Sequence, residues 1–176
     1  MIKQPIENGD FNTGDFTGWT VQNFGTPAKV VLHNRSSQAK MEPGKQTGQL
    51  LYVSFEAKPG PFTVTLDAHA PEARHVEDPS NPDTHPFIVF FISGFSQDGA
   101  LIHTDVGAWW LHRDQQRFQY TGSMNDEVVK AEVRLSFPSD PLRVKGALYL
   151  DNVSYTADVQ KQSQSPRWSQ TKISMK

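Results

Sequence analysis

The hydrophobic positions of this chain recur with period two. In FTVTLDAHA, residues 62–70, Phe62, Val64, Leu66, Ala68 and Ala70 fall on one side, and Thr63, Thr65, Asp67 and His69 on the other. VKAEVRLSF, residues 129–137, repeats the pattern, with Val129, Ala131, Val133, Leu135 and Phe137 against Lys130, Glu132, Arg134 and Ser136. Successive side chains of a strand point to opposite sides. Both segments therefore predict half-buried strands of an antiparallel sheet with one wet face. PFIVFFISGF, residues 86–95, is apolar on both sides and predicts a central strand; QLLYVSFEA, residues 49–57, predicts another. Weaker strand signals lie at 19–24, 29–33, 101–106, 117–122 and 146–156, and KPGP, SQDGA, GSMNDE and FPSDP punctuate them as turns. The Gln97–Gly99 stretch, QDG, reads as a hairpin turn. No segment carries a helical period of useful length. Ten or so strands without helix predict an all-β fold, a two-sheet antiparallel sandwich.

Two segments stand outside that pattern. Residues 70–86, APEARHVEDPSNPDTHP, hold four prolines and several charges between two strands, as a long surface loop does. Residues 158–176 are polar and locally basic, with Lys161, Arg167, Lys172 and Lys176 and a single aromatic, Trp168. They read as a polar tail or linker. The expected organisation is one β-sandwich over residues 1–157 followed by that tail.

Composition narrows the function classes. The net charge of −2, from 17 basic and 19 acidic residues, supplies no basic face for phosphates and argues against nucleic-acid binding. There is no cysteine, so disulfide frameworks, thiolate metal sites and a cysteine nucleophile are excluded. The N-terminus shows no signal-peptide pattern, and the longest apolar run, FIVFFI at 87–92, is too short to span a bilayer as a helix.

The stretch NGDFNTGDFTGW, residues 8–19, alternates glycines, acids and large aromatics. Two readings fit it. In one, Phe11, Phe16 and Trp19 plug an end of the sandwich, Gly9, Gly14 and Gly18 supply positive φ, and Asp10, Asn12 and Asp15 close turns on their own backbone. In the other, the polar side chains hold a cation. The stretch is not an EF-hand, because Asp15 stands where that loop needs glycine and Val21 where it needs glutamate.

The N-terminal NG-x-F-x-x-G-x-x-x-GW (Asn8, Gly9, Phe11, Gly14, Gly18, Trp19) and the C-terminal LDNV (Leu150, Asp151, Asn152, Val153) occur together. This pair resembles the galactose-binding-like jelly rolls, and among them the carbohydrate-binding modules that accompany glycoside hydrolases. The resemblance implies a jelly-roll β-sandwich of lectin-like function and an extracellular or cell-surface setting. It also implies a structural calcium between the N-terminal turn and the C-terminal aspartate. Asp151 matches that aspartate. Where the family has a glutamate after the phenylalanine this chain has Asn12, and Asp10 or Asp15 is placed to substitute. The expected ligand set is Asp10, Asn12 and Asp151.

A sugar site combines a flat aromatic with polar groups for the hydroxyls. GAWWLHRDQQRFQY, residues 107–120, offers both. In a strand Trp109 and Trp110 point to opposite faces, so one is free to serve as a platform while the other enters the core. The candidate ligand-binding residues are Trp109, Trp110, His112, Arg113, Gln115 and Tyr120. No G-x-S-x-G elbow, H-E-x-x-H or phosphate loop appears, and His75, Glu77, Asp78, Asp83 and His85 match no zinc spacing. The expectation is a non-catalytic glycan-binding module, with a structural or assembly jelly roll as the alternative. Its partner is then a glycan, and monomer and homo-oligomer both remain open.

Overall fold

The computed structural model describes residues 6–23, 26–42, 49–72, 74–75, 86–137 and 144–157. Twelve strands lie among them: β1 Thr20–Asn23, β2 Lys29–His33, β3 Ser36–Met41, β4 Gln49–Glu56, β5 Gly60–His69, β6 Arg74–His75, β7 Phe87–Phe95, β8 Leu101–Trp110, β9 Gln116–Met124, β10 Lys130–Phe137, β11 Val144–Lys145 and β12 Leu148–Ala157. Two five-stranded antiparallel sheets, ordered β1-β4-β10-β7-β8 and β2-β3-β12-β5-β9, form a sandwich of jelly-roll type. A small ladder joins β6 to β11. The predicted tail, Trp168 and most of the proline-rich loop lie outside the described residues.

The core sits where the period-two pattern puts it. Leu51, Val53 and Phe55 of β4, Ala131, Val133, Leu135 and Phe137 of β10, and Ile88, Phe90 and Ile92 of β7 turn inward from the first sheet. Phe62, Val64 and Leu66 of β5 and Leu148, Leu150 and Tyr155 of β12 meet them from the second. Phe62 and Tyr155 stack with centroids 5.4 Å apart. Each Val, Leu, Ile or Phe among them contributes about 1.5–3 kcal/mol on burial. Among the described residues the Tyr155 hydroxyl has no hydrogen-bond partner, and burial pushes its pKa up to about 12.

Strand β3, SSQAKM, lacks an alternating pattern and has no sequence-based counterpart. Its position follows from the turn before it. Asn34 and Arg35 both have positive φ, as a two-residue hairpin requires, and fold β3 back on β2. Val129, expected on the core side of β10, lies just outside that strand and is exposed. The hairpin expected at Gln97–Gly99 joins β7 to β8 through the Ser96 N–H···O=C Ala100 and Gly99 N–H···O=C Ser96 bonds.

Candidate functional site

A sandwich leaves one face of each sheet to solvent, and strand register assigns the residues there. The outer face of the first sheet carries five cross-strand rows. Phe87 lies opposite Trp110. Next come Gln22, Leu50, Ser136, Val89 and Ala108. Thr20, Tyr52, Arg134, Phe91 and Val106 form the middle row. Ser54, Glu132, Ser93 and Thr104 follow, and Glu56, Lys130, Phe95 and Leu101 close the series. The face is thus aromatic and aliphatic at one end, and hydroxylated and charged at the other.

Trp110 is 54% exposed and lies 5.2 Å from the Phe87 ring. Arg134 sits over the Tyr52 ring at 5.7 Å, an attraction between a cation and the negative ring face. Its Nη2 donates to Glu132 Oε1 at 2.7 Å, and Ser54 Oγ donates to Glu132 Oε2 at 3.2 Å. Glu132 is only 8% exposed despite its outward direction; Arg134 and Ser54 close over it. Beyond Ser54 the face runs into a cleft of about 630 Å³ lined by Glu56, Lys58, Gln97, Val129 and Lys130.

The expected sugar-contacting residues do not gather in one place. Trp110 alone of the pair faces outward. Trp109 is half-buried and turned into the sandwich, stacked on Phe90 at 4.1 Å and near Phe118 at 5.8 Å. Tyr120 is also turned inward, 5.0 Å from Phe90, because it registers with the core residue Val64. Burial and the adjacent Asp105 raise its pKa. His112, Arg113 and Gln115 are exposed, in the segment that crosses from β8 to β9. That crossing carries Gln115 to the other sheet, where its Oε1 accepts from Gln38 Nε2 at 3.5 Å. Phe87, Phe91, Arg134, Glu132 and Ser54 share the face of Trp110 and were missed from the sequence, and Tyr52 lies among them. A signal existed for the first two. A strand apolar on both sides, in a sheet packed on one side only, must show apolar residues to solvent.

The second sheet's outer face differs. Its rows are Thr156, Thr63 and Thr121, then Ser154, Thr65 and Gln119, then Asp151, Asp67 and Arg117. Asp67 and His69, expected on a wet face, are 8% and 3% exposed. Arg117 pairs with Asp67 through two bonds of 2.8 and 2.9 Å, and Asn152 Nδ2 donates to it at 2.9 Å. Burial pushes the Asp67 carboxyl up, but these bonds and the Arg117 charge outweigh it and hold it below its ordinary value. Tyr149, His33 and His69 cluster, with the Tyr149 ring 4.3 Å from His33 and 5.1 Å from His69 and the two imidazoles 5.3 Å apart. Burial and then the His33 charge lower the His69 pKa, against a smaller raising effect of Asp114.

The opening stretch closes on itself. Asn8 Nδ2 donates to the carbonyls of Asp15 and Thr17, and its Oδ1 accepts from the Thr13 N–H. Trp19 Nε1 and the Phe11 N–H both donate to the Asn8 carbonyl. Gly14 and Gly18 have the positive φ expected of them; Gly9 does not, and Asn8 and Phe11 do instead. Gly9 serves close approach. Its carbonyl accepts from the Val153 N–H at 2.8 Å, and a Cβ there would meet the Val153 oxygen at 2.0 Å. The knot is thereby fastened to β12, and Phe11 and Trp19 are buried behind it.

Calcium takes six to eight oxygens from carboxylates, backbone and amide carbonyls and water. Asp10 accepts from the Asn12 N–H and Nδ2, and Asp151 accepts from Ser36 Oγ and the Asn152 N–H. Among the described residues no group of three or more His, Asp or Glu is arranged to hold a metal ion. Asp10, Asn12 and Asp151 thus serve turns and strand contacts in this arrangement.

No protein-family model and no curated protein matches the sequence. Solved structures match by fold. TmCBM61, determined in complex with β-1,4-galactotriose, is 14% identical with a TM-score of 0.65, covering 89% of this chain and 99% of that one. A family 16 carbohydrate-binding module is 15% identical with a TM-score of 0.61, covering 86% of this chain and 99% of that one. The enzymatically active domain of tailspike protein 4 of bacteriophage CBA120 is 14% identical with a TM-score of 0.64; 86% of this chain is covered but only 21% of that one, so this chain spans about a fifth of its length. At such identities the shared property is architecture: this chain has a jelly-roll β-sandwich fold, distantly similar to that of carbohydrate-binding modules.

Proposed function

We propose that the chain is a non-catalytic glycan-binding module whose platform is the outer face of the first sheet. One observation carries the reading: an exposed tryptophan, packed on Phe87, lies on the same face as the Arg134–Glu132–Ser54 cluster. Aromatic rings pack on the apolar faces of pyranoses, while guanidinium, carboxylate and hydroxyl groups bond the ring hydroxyls. The fold neighbours described as carbohydrate-binding modules support this reading. The platform differs from the expected set in centring on Trp110, Phe87, Tyr52 and Arg134. Trp109 and Tyr120 act behind it as packing.

The test is a glycan panel read by tryptophan fluorescence and calorimetry on the wild type and Trp110→Ala. Binding by the wild type that is lost in the variant, with the melting temperature kept, supports the reading. Absence of binding to every glycan sinks it. An assembly role is the second reading, favoured by the exposed apolar side chains concentrated on β8.

A further inference from the structure

Four strands edge the two sheets: β1 and β8 in the first, β2 and β9 in the second. An edge strand presents unpaired N–H and C=O groups and invites another strand unless it is short, charged or kinked. Strands β1 and β2 have four and five residues. Strand β9 is long, but Arg117, Gln119, Thr121 and Ser123 cover its outer side. Strand β8 is kinked only at its start, where Ile102 bulges between Leu101 and His103, and its one acid points inward; from His103 to Trp110 its register with β7 is unbroken. It has ten residues and no proline, lysine or arginine. Its outward row is Thr104, Val106, Ala108 and Trp110. Of the five exposed large apolar residues described, Leu101, Val106 and Trp110 are on this one strand, Val106 at 58%.

We propose that β8 pairs antiparallel with β8 of a second copy of this chain, joining the two first sheets into one continuous ten-stranded sheet. The chemistry of the row selects a copy of itself. A two-fold contact places each residue opposite its symmetry mate or a near neighbour, which like charges forbid. Here the outward row carries no charge. The strand's one acid, Asp105, points inward and is paired with His103 at 3.0 Å. Inward side chains must face inward ones, so the two-fold axis passes through a residue of the strand. An axis at Asp105 would set two carboxylates against each other. An axis at Val106 sets Val106 against Val106, Ala108 against Thr104 and Asp105 against Gly107, with no like-charge contact. Both outer faces then lie on the same side, and the two Trp110 platforms become parts of one surface. The inference stands independently of what those platforms bind.

The absence of cysteine from the chain makes the register testable. Directly opposed residues of an antiparallel pair have Cα atoms about 4.5–5.5 Å apart, within the roughly 4.4–6.8 Å a disulfide spans. Under mild oxidation without any glycan, Val106→Cys should cross-link to a dimer. Thr104→Cys, on the same edge and face but opposite Ala108, should not. Sedimentation of the wild type should show a concentration-dependent dimer, and Val106→Lys, which sets two ammonium groups face to face, should weaken it at least tenfold. A wild type that stays monomeric at every concentration overturns the proposal. So does equal cross-linking of the two cysteine variants, which is the result of random collision.

Discussion

The two outer faces of this sandwich are built on the same scaffold and have opposite characters. The second sheet's face is polar in nearly every row, and its least exposed members are bonded to one another: Asp67 to Arg117 and Asn152, Asp151 to Ser36, Thr65 to Ser154 at 2.7 Å. It is a finished surface that ties β3, β5, β9 and β12 together. The first sheet's face carries Trp110, Phe87, Phe91, Val89 and Val106 in the open or half-open, with Arg134 and Glu132 among them. Stability gains little from apolar groups left in water. The contrast teaches that the polar acids and histidines, which look chemical in a sequence, hold the fold here, while the apolar face is the one free to bind.

The sharpest way to break that comparison is the tryptophan pair, adjacent in sequence and opposite in role. Trp110→Ala should weaken glycan binding by about thirtyfold, about 2 kcal/mol for a central anchor, and leave the melting temperature nearly unchanged. Trp109→Ala should do the reverse, removing a ring stacked on Phe90 and costing about 3 kcal/mol of stability. Calorimetric titration beside thermal melts separates the two. If Trp109→Ala abolished binding with stability intact, the platform would be on the wrong side of the sheet.

How much of this was legible beforehand differs between fold and site. The sandwich was legible because β5 and β10 bury one side and wet the other, and that alternation is local. The division of Trp109 from Trp110 was legible for the same reason, though not which of them faced out. The rest of the platform was not, because Tyr52, Arg134 and Phe91 come from three strands, at positions 52, 134 and 91, that only register brings into one row. Glu132 and Asp67 were misread as solvated acids because their cover, Arg134 and Arg117, depends on side-chain pairing that alternation cannot show. Strand β3 was invisible for want of any pattern. Its place is set by the turn and by its neighbours β2 and β12.

The second face offers a smaller test. Asp67→Ala removes an acceptor that three strands share and should cost about 2 kcal/mol. The Arg117 side chain is 64% exposed and returns to water, which limits the loss. Glycan affinity should not change, measured by the same titrations. A matching loss of affinity would mean that the second face, and not the first, carries the ligand.

Weaker again is the effect of acid on the cluster of His33, His69 and Tyr149. The His69 pKa is lowered in the fold, so the unfolded chain takes up a proton first as pH falls. The stabilising contribution of neutral His69 is therefore complete above about pH 6.5 and is lost as pH drops through the folded value. Thermal melts from about pH 7.5 down to 5 should show this decline, and His69→Gln should flatten it. A slope identical in the variant would assign the acid sensitivity to other groups.

The smallest expected effect concerns the knot at residues 8–19, which touches both the second face and the core. Its acids look like metal ligands in sequence, yet Asp15 accepts from the Thr17 N–H at 2.9 Å and from Thr13 Oγ1 at 2.8 Å, and these bonds lower its pKa. Asp10 accepts from the Asn12 N–H at 3.2 Å and from Asn12 Nδ2 at 2.8 Å. A turn so supplied with donors has little to gain from a cation, so chelation should leave the melting temperature unchanged within error. The opposite sensitivity is expected at Gly9. There the backbone touches β12, and Gly9→Ala forces a methyl carbon onto the Val153 carbonyl. The knot must then detach from the last strand and uncover Phe11 and Trp19. A protein indifferent to chelator but badly destabilised by that one methyl group is sealed by packing. A protein whose melting temperature falls with chelator holds an ion at its N-terminal turn, and Asp10 and Asp151 would then have to exchange their present partners for it.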